Sequence, residues 1–206
     1  MDYYFEIRLK PTKDALESIL LNIVYEKIHR ALFDLNATDI GVSFPEYKVK
    51  LGTLIRLHGP KERLQELSKS WRNIVLTKGT LRPVWSDSLS IEGSLLYVTT
   101  SVSEIPKNVK HRNISRKRPT MSMSKLRRLI KRREENADKG ISLEDISSYR
   151  SKMFAQGLDN PYVDIWGEKK KQKYRRFFGF GELLNELIKG EFDTFGLSKD
   201  ATIPWF

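Results

Sequence analysis

Residues 3–35 read YYFEIRLKPTKDALESILLNIVYEKIHRALFDL. Tyr3, Phe5, Ile7 and Leu9 alternate with Tyr4, Glu6 and Arg8. A period of two predicts a strand with one buried face. Pro11 and Thr12 then open a helix expected to run to about Leu35. Its predicted core face is Leu16, Ile19, Leu20, Ile23, Val24, Ile28, Ala31 and Leu35, with Asn36 as C-cap. His29 falls on the side roughly opposite Leu16, Ile19 and Ile23, which places it outside that core. Further along, Ile40–Phe44 reads as a short buried strand stopped by Pro45, and Leu51–Leu57 as its antiparallel neighbour. Pro60 begins a helix to about Ser68, with Leu64 and Leu67 inward. Strand-like pieces follow at Ile74–Thr77, Leu81–Trp85 and Leu95–Val102. The order β-α-β-β-α-β predicts an α+β protein with a ferredoxin-like N-terminal domain over residues 1–100.

Composition limits the chemistry. The 206 residues are 39% hydrophobic, with ten Phe, eight Tyr and four Trp, enough for a true core. The absence of Cys removes disulfides, thiolate metal sites and a Cys nucleophile, and fits a reducing cytoplasm. His29, His58 and His111 show no paired metal spacing, so neither a metal nor another cofactor is expected. The longest apolar run, Ile19–Tyr25, is interrupted by Asn22 and too short to span a bilayer, and no secretion signal opens the chain.

The charge is local. Lys107–Arg133 holds twelve Lys or Arg and no acid; the rest of the chain has 25 basic residues against 26 acidic ones. Lys169–Arg176 adds six more basic residues without an acid. Two basic blocks on an otherwise acidic body point to a polyanion held at a defined place, with nucleic acid the first candidate and a solvated charge run the alternative. Lys107–Pro119 is too polar and irregular to predict a helix and reads as a linker. Ser122 or Ser124 then caps a helix, placed at 124–136, with Leu126, Leu129 and Ile130 on one side. Lys125, Arg127, Arg128, Lys131 and Arg132 spread over the other side. Like charges crowded on one helix repel, a cost that a phosphate-bearing partner removes. Ser142 caps another helix carrying Leu143, Ile146, Tyr149, Met153 and Phe154. Tyr162–Trp166 and Tyr174–Phe180 read as strands either side of a Lys169-Lys170-Lys171 turn. In the second strand Tyr174, Phe177 and Phe178 interleave with Arg175 and Arg176. Such a pattern suits base stacking and phosphate contact, or equally a strand with Phe inside and Arg outside. The apolar end, Ile203-Pro204-Trp205-Phe206, is expected to be docked.

Several segments together resemble one family: DYYFEIRL at the start, KIHRAL with His29, GVSFP at 41–45, HRNISRKR at 111–118, KLRRLIKRR at 125–133 and GLSKDATIPWF at 196–206. The chain resembles the CRISPR repeat-processing endoribonucleases of subtype I-F. These cut precursor CRISPR RNA at the base of each repeat hairpin and stay on it as a subunit of the interference complex. The resemblance implies a ferredoxin-like N-terminal domain and a C-terminal RNA-binding domain, 101–206, with an arginine-rich helix. It implies phosphate contacts from Arg128, Arg132 and Arg133, base contacts from Arg116 and Arg118, and a stacking role for Tyr174. Leu129 stands where the family can carry another arginine.

The resemblance also makes His29 the catalytic residue. An imidazole can exchange a proton with a ribose 2′-hydroxyl or a leaving 5′-oxygen, and attack by the 2′-oxygen needs no metal. Alone, His29 would read as a surface helical histidine. The chain departs from the family in two places. A serine expected near Gly167-Glu168-Lys169 is absent, and a tyrosine before GLS is Phe195. Lys169, Lys170 or Lys171 is the candidate to stabilise phosphorane charge instead. The expectation is therefore a metal-independent endoribonuclease. The alternatives are a hairpin-binding subunit with little or no cleavage, or a structural RNA-binding protein outside CRISPR systems.

Overall fold

A computed structural model describes residues 1–11, 16–75, 96–98, 102–117, 128, 131, 160–167 and 171–206, with backbone only at 70–75 and 96–98. The expected strand at 81–85 and the helix from Ser142 lie outside these residues. The chain is α+β with two antiparallel sheets. It divides into a larger compact unit, Met1–Arg116 with Pro161–Phe206, and a smaller one, Lys117–Asn160. The boundary expected at residue 100 falls inside the larger unit.

The alternation at the start forms β1 (Tyr3–Leu9), with Phe5, Ile7 and Leu9 buried. It is followed by α1 (Glu17–Asp34), β2 (Gly41–Ser43), β3 (Leu54–Gly59), α2 (Lys61–Val75) and β4 (Leu96–Val98). The sheet order is β2-β3-β1-β4, and a two-residue strand β5 (Ser103–Glu104) also pairs with β1. Asn36 takes a left-handed φ of 45°. Its N–H bonds Phe33 O at 3.0 Å and that of Ala37 bonds Leu32 O at 2.9 Å, so α1 closes in a Schellman turn with Asn36 just past the cap.

Three expectations need correction here. The core face of α1 is wider than expected and starts later: Leu20, Ile23, Val24, Ile28 and Ala31 are buried as expected and Leu21, Tyr25 and Leu32 are buried as well, whereas Leu16 is 58% exposed and Ile19 and Leu35 are half-buried. The helix packs on β1 and also against β7, so its buried surface is wider than one stripe. Ile74 and Val75, expected in a strand, end α2 instead. Lys110–Lys117, expected as an irregular linker, is strand β6.

The second sheet has the order β7-β8-β6-β9, with β7 at Tyr162–Gly167, β8 at Gln172–Leu184 and β9 at Ile203–Trp205. Strand β6 pairs Lys110 with Trp205 and Arg112 with Ile203, supplying the partner that makes its polar sequence a strand. Asn113 Nδ2 donates to Ala201 O at 2.7 Å, fixing the segment before β9. Trp205-Phe206 is docked: Arg56 Nη1 donates to the Phe206 main-chain oxygen at 2.6 Å, and the guanidinium lies 3.9 Å from the Phe206 ring centroid. Both sheets contribute to one core, with Phe44, Tyr25 and Phe178 among its largest members. None of the described helices is long and apolar enough to cross a membrane.

Candidate active site

Two side chains one turn apart on α1 set the site. Positions i and i+4 share a helix face, so Tyr25 and His29 address the same segment, residues 193–197. Tyr25 donates its hydroxyl to Phe195 O at 2.7 Å. His29 Nδ1 lies 2.8 Å from Thr194 O. A carbonyl only accepts, so Nδ1 carries the hydrogen and Nε2 keeps its lone pair.

The 193–197 turn is rigid for local reasons. Asp193 Oδ1 accepts from Phe195 N at 2.9 Å and from Leu197 N at 3.0 Å. Gly196 has φ +69°, and a Cβ there would come within 2.3 Å of Val42 Cγ2. Its carbonyl accepts from Val42 N at 3.0 Å, tying the turn to β2. Glycine is needed on both counts, backbone hand and space.

The Phe195 ring stacks on His29 with centroids 3.5 Å apart and planes 12° from parallel. The Arg176 guanidinium carbon lies 3.6 Å from the same Phe195 centroid. Two groups this close to one centroid cannot share a ring face, so Phe195 is sandwiched between imidazole and guanidinium. Burial lowers the pKa of His29 most; the bond to Thr194 and the charge of Asp193 oppose this, while Arg176 and Arg30 add to it. The net effect is a half-buried imidazole that stays neutral to lower pH than usual. Burial raises the Tyr25 pKa well above its ordinary value, keeping the phenol as a donor.

Tyr174 and Arg175 occupy opposite faces of β8. Tyr174 is half-buried against the core, on the same face as Arg176, whose guanidinium is 5.9 Å from its ring. Arg175 is 3.5 Å from Asp164 and 4.3 Å from the Tyr162 ring centroid. Arg116 is exposed near the end of β6. Lys171 is exposed in the β7–β8 hairpin at φ 45°. Arg128 and Lys131 are helical and exposed, and belong to the smaller unit. Arg118, Lys125, Arg127, Arg132, Arg133, Lys169 and Lys170 lie outside the described residues. Among the described residues no three His, Asp or Glu side chains form a metal-binding cluster.

The stack is not legible in the sequence, where Phe195 stands out only for its absent hydroxyl. The period of β8 carried the signal for Arg176, since Tyr174, Arg176 and Phe178 alternate onto one face.

His58, near the end of β3, is fully buried, 2.8 Å from Ser43 Oγ through Nε2. Burial holds its pKa well below the ordinary value, and Arg56, the N-terminal ammonium and His111 act in the same direction. His29 and His111 are also lowered. Below about pH 6.5 the unfolded chain therefore binds more protons than the folded one. Stability should be complete above that pH and fall on acidification, His58 alone contributing up to about 1.4 kcal/mol per pH unit. Urea unfolding between pH 7 and pH 5 measures this, and His58→Gln should flatten the slope by about one proton.

Comparison with known proteins identifies the family. Residues 4–78 and 90–206 match the model of a family described as CRISPR-associated protein (Cas_Csy4). A protein of Escherichia coli (strain UTI89 / UPEC) named CRISPR-associated endonuclease Cas6/Csy4 is 34% identical, with 100% of both chains covered. One of the same name from Pseudomonas aeruginosa (strain UCBPP-PA14) is 29% identical, again with 100% of both covered. With a match running nearly from end to end, the chain belongs to the Cas_Csy4 family of CRISPR-associated proteins.

Proposed function

We propose that this chain is a subtype I-F CRISPR RNA endoribonuclease that cuts precursor crRNA at the base of the repeat hairpin. His29 acts as general base. Its Nε2 takes the 2′-hydroxyl proton, the 2′-oxygen bonds to the adjacent phosphorus, and the bond from phosphorus to the 5′-oxygen breaks. The leaving 5′-oxygen takes a proton from water, so the products are a 2′,3′-cyclic phosphate and a 5′-hydroxyl. The nucleophile comes from the substrate, so the reaction needs no metal-bound water. The carrying observation is the bond from His29 Nδ1 to Thr194 O, which leaves Nε2 as the acceptor. The sheet order β2-β3-β1-β4 with α1 and α2 supports a ferredoxin-like N-terminal domain. The names of the relatives support nuclease chemistry.

In this reading Arg116 and Arg118 contact bases at the foot of the stem. Lys125, Arg127, Arg128, Lys131, Arg132 and Arg133 meet its phosphates, Tyr174 stacks under the terminal pair, and Arg175 is a further RNA contact. Lys169, Lys170 or Lys171 offsets phosphorane charge. After cutting, the protein holds the crRNA 3′ stem-loop within the cytoplasmic I-F interference complex.

The second reading, a hairpin-binding subunit that cuts poorly, is favoured by Phe195 in place of a phenol and by the serine-free stretch from Gly167. Repeat RNA with and without a 2′-deoxy at the scissile nucleotide, incubated with the protein in EDTA, separates the two. The all-ribo RNA should be cut to a cyclic phosphate; the deoxy RNA should bind equally and stay intact. Cleavage of the deoxy RNA would refute 2′-hydroxyl attack, and tight binding without any cleavage would establish the second reading. Binding should weaken steeply with salt, as phosphate contacts require.

A further inference from the structure

We propose that Arg176 is a positioning residue for His29: its guanidinium clamps Phe195 onto the imidazole and sets how Nε2 is presented and how readily it takes a proton. The inference rests on the reading of His29 as the base.

Arg176 is only 5% exposed, and its Nε and Nη1 atoms are buried without hydrogen-bond partners. Among the described residues no carboxylate pairs with it. A buried arginine kept for structure is normally bonded through most of its donors. Here the evident interaction is with a ring face, 3.6 Å from the Phe195 centroid. The opposite face of that ring carries His29 at 3.5 Å. Opposite Arg176 on β7 is Val163, an apolar neighbour that cannot neutralise it.

Two consequences follow. The clamp restricts the imidazole plane to that of Phe195, so the bond to Thr194 fixes the direction of Nε2 as well as the tautomer. The uncompensated charge also acts on His29 across a ring that excludes water, where screening is weak. The charged groups facing His29 are Arg30 on its own helix, Asp193 in the turn and Arg176 on β8; Tyr25 and Tyr174 are nearby phenols. Asp193 spends one carboxylate oxygen on two backbone N–H groups, which weakens its opposition to Arg176.

The test is an NMR titration of the histidine rings in the full chain, with His29 identified by loss of its signal in His29→Gln. Arg176→Gln should raise the His29 midpoint by about half to one pH unit, and Arg176→Lys should restore part of the difference. An unchanged midpoint in folded Arg176→Gln overturns the proposal. In the wild-type protein the Arg176 Nε proton should be shifted upfield by the Phe195 ring and show contacts to it; their absence overturns the clamp even if the variants do not fold. Neither measurement needs cleavage. An inactive protein with a responsive His29 therefore refutes the nuclease and leaves the clamp standing.

Discussion

Replacing His29 with alanine should slow cleavage of repeat RNA by about 10²–10⁴-fold, the usual contribution of a positioned acid–base group. The fold should survive. The change removes one bond to Thr194, worth about 1 kcal/mol, and ring contacts to Phe195 and Phe33, each worth about 0.5–1.5 kcal/mol at most, from a side chain that is only half-buried. Hairpin affinity should stay within a few-fold, since the proposed phosphate and base contacts come from other residues. Single-turnover rates in the wild type should follow the neutral imidazole. Burial, Arg176 and Arg30 lower the His29 pKa, so the rate should climb with pH and level off below about 6.5. A base gives a rising limb; an acid would give a falling one over the same range. A His29→Ala protein cutting at the wild-type rate would remove the imidazole from the mechanism.

Elements were legible where local pattern and tertiary setting agreed. The alternation at Tyr3–Leu9 needed only one buried face, and β1 has one. Asn36 was legible because a left-handed residue after a helix favours asparagine next to glycine. Most of the α1 core face was legible too, but not its full width, because a single apolar stripe does not show that β7 also covers the helix. Strand β6 was illegible for a related reason: its pairing partner β9 lies about ninety residues away, and polar strands gain their ladder only from such partners. Within the site, His29 stood out through its resemblance to a family. Thr194 contributes a backbone carbonyl, which no side-chain motif encodes. Arg176 contributes by being buried, against the ordinary expectation for arginine.

Phe178→Ala should lower stability by about 3–5 kcal/mol, the range for emptying a buried aromatic site. A domain holds about 5–15 kcal/mol in all. Phe178 is fully buried on β8. Its ring meets Tyr25 of α1 edge-on at 5.3 Å and Phe44, just beyond β2, at 5.1 Å. Each edge-to-face contact contributes about 0.5–1.5 kcal/mol beyond burial, and neither can be recovered by a methyl group. Tyr25 also holds Phe195 O, so the cavity should loosen the turn that orients His29. Phe178→Leu, which fills most of the space, should cost far less. Hydrogen exchange decides how far the loss spreads. If the two sheets unfold together, amides of β3 and β8 should lose protection by the same free energy. If a boundary near residue 100 separates independently stable halves, β8 should lose protection while β3 keeps it. Phe44 and Phe178 touch directly across the two sheets, and Tyr25 of α1 packs against both, so a shared loss is the expected result.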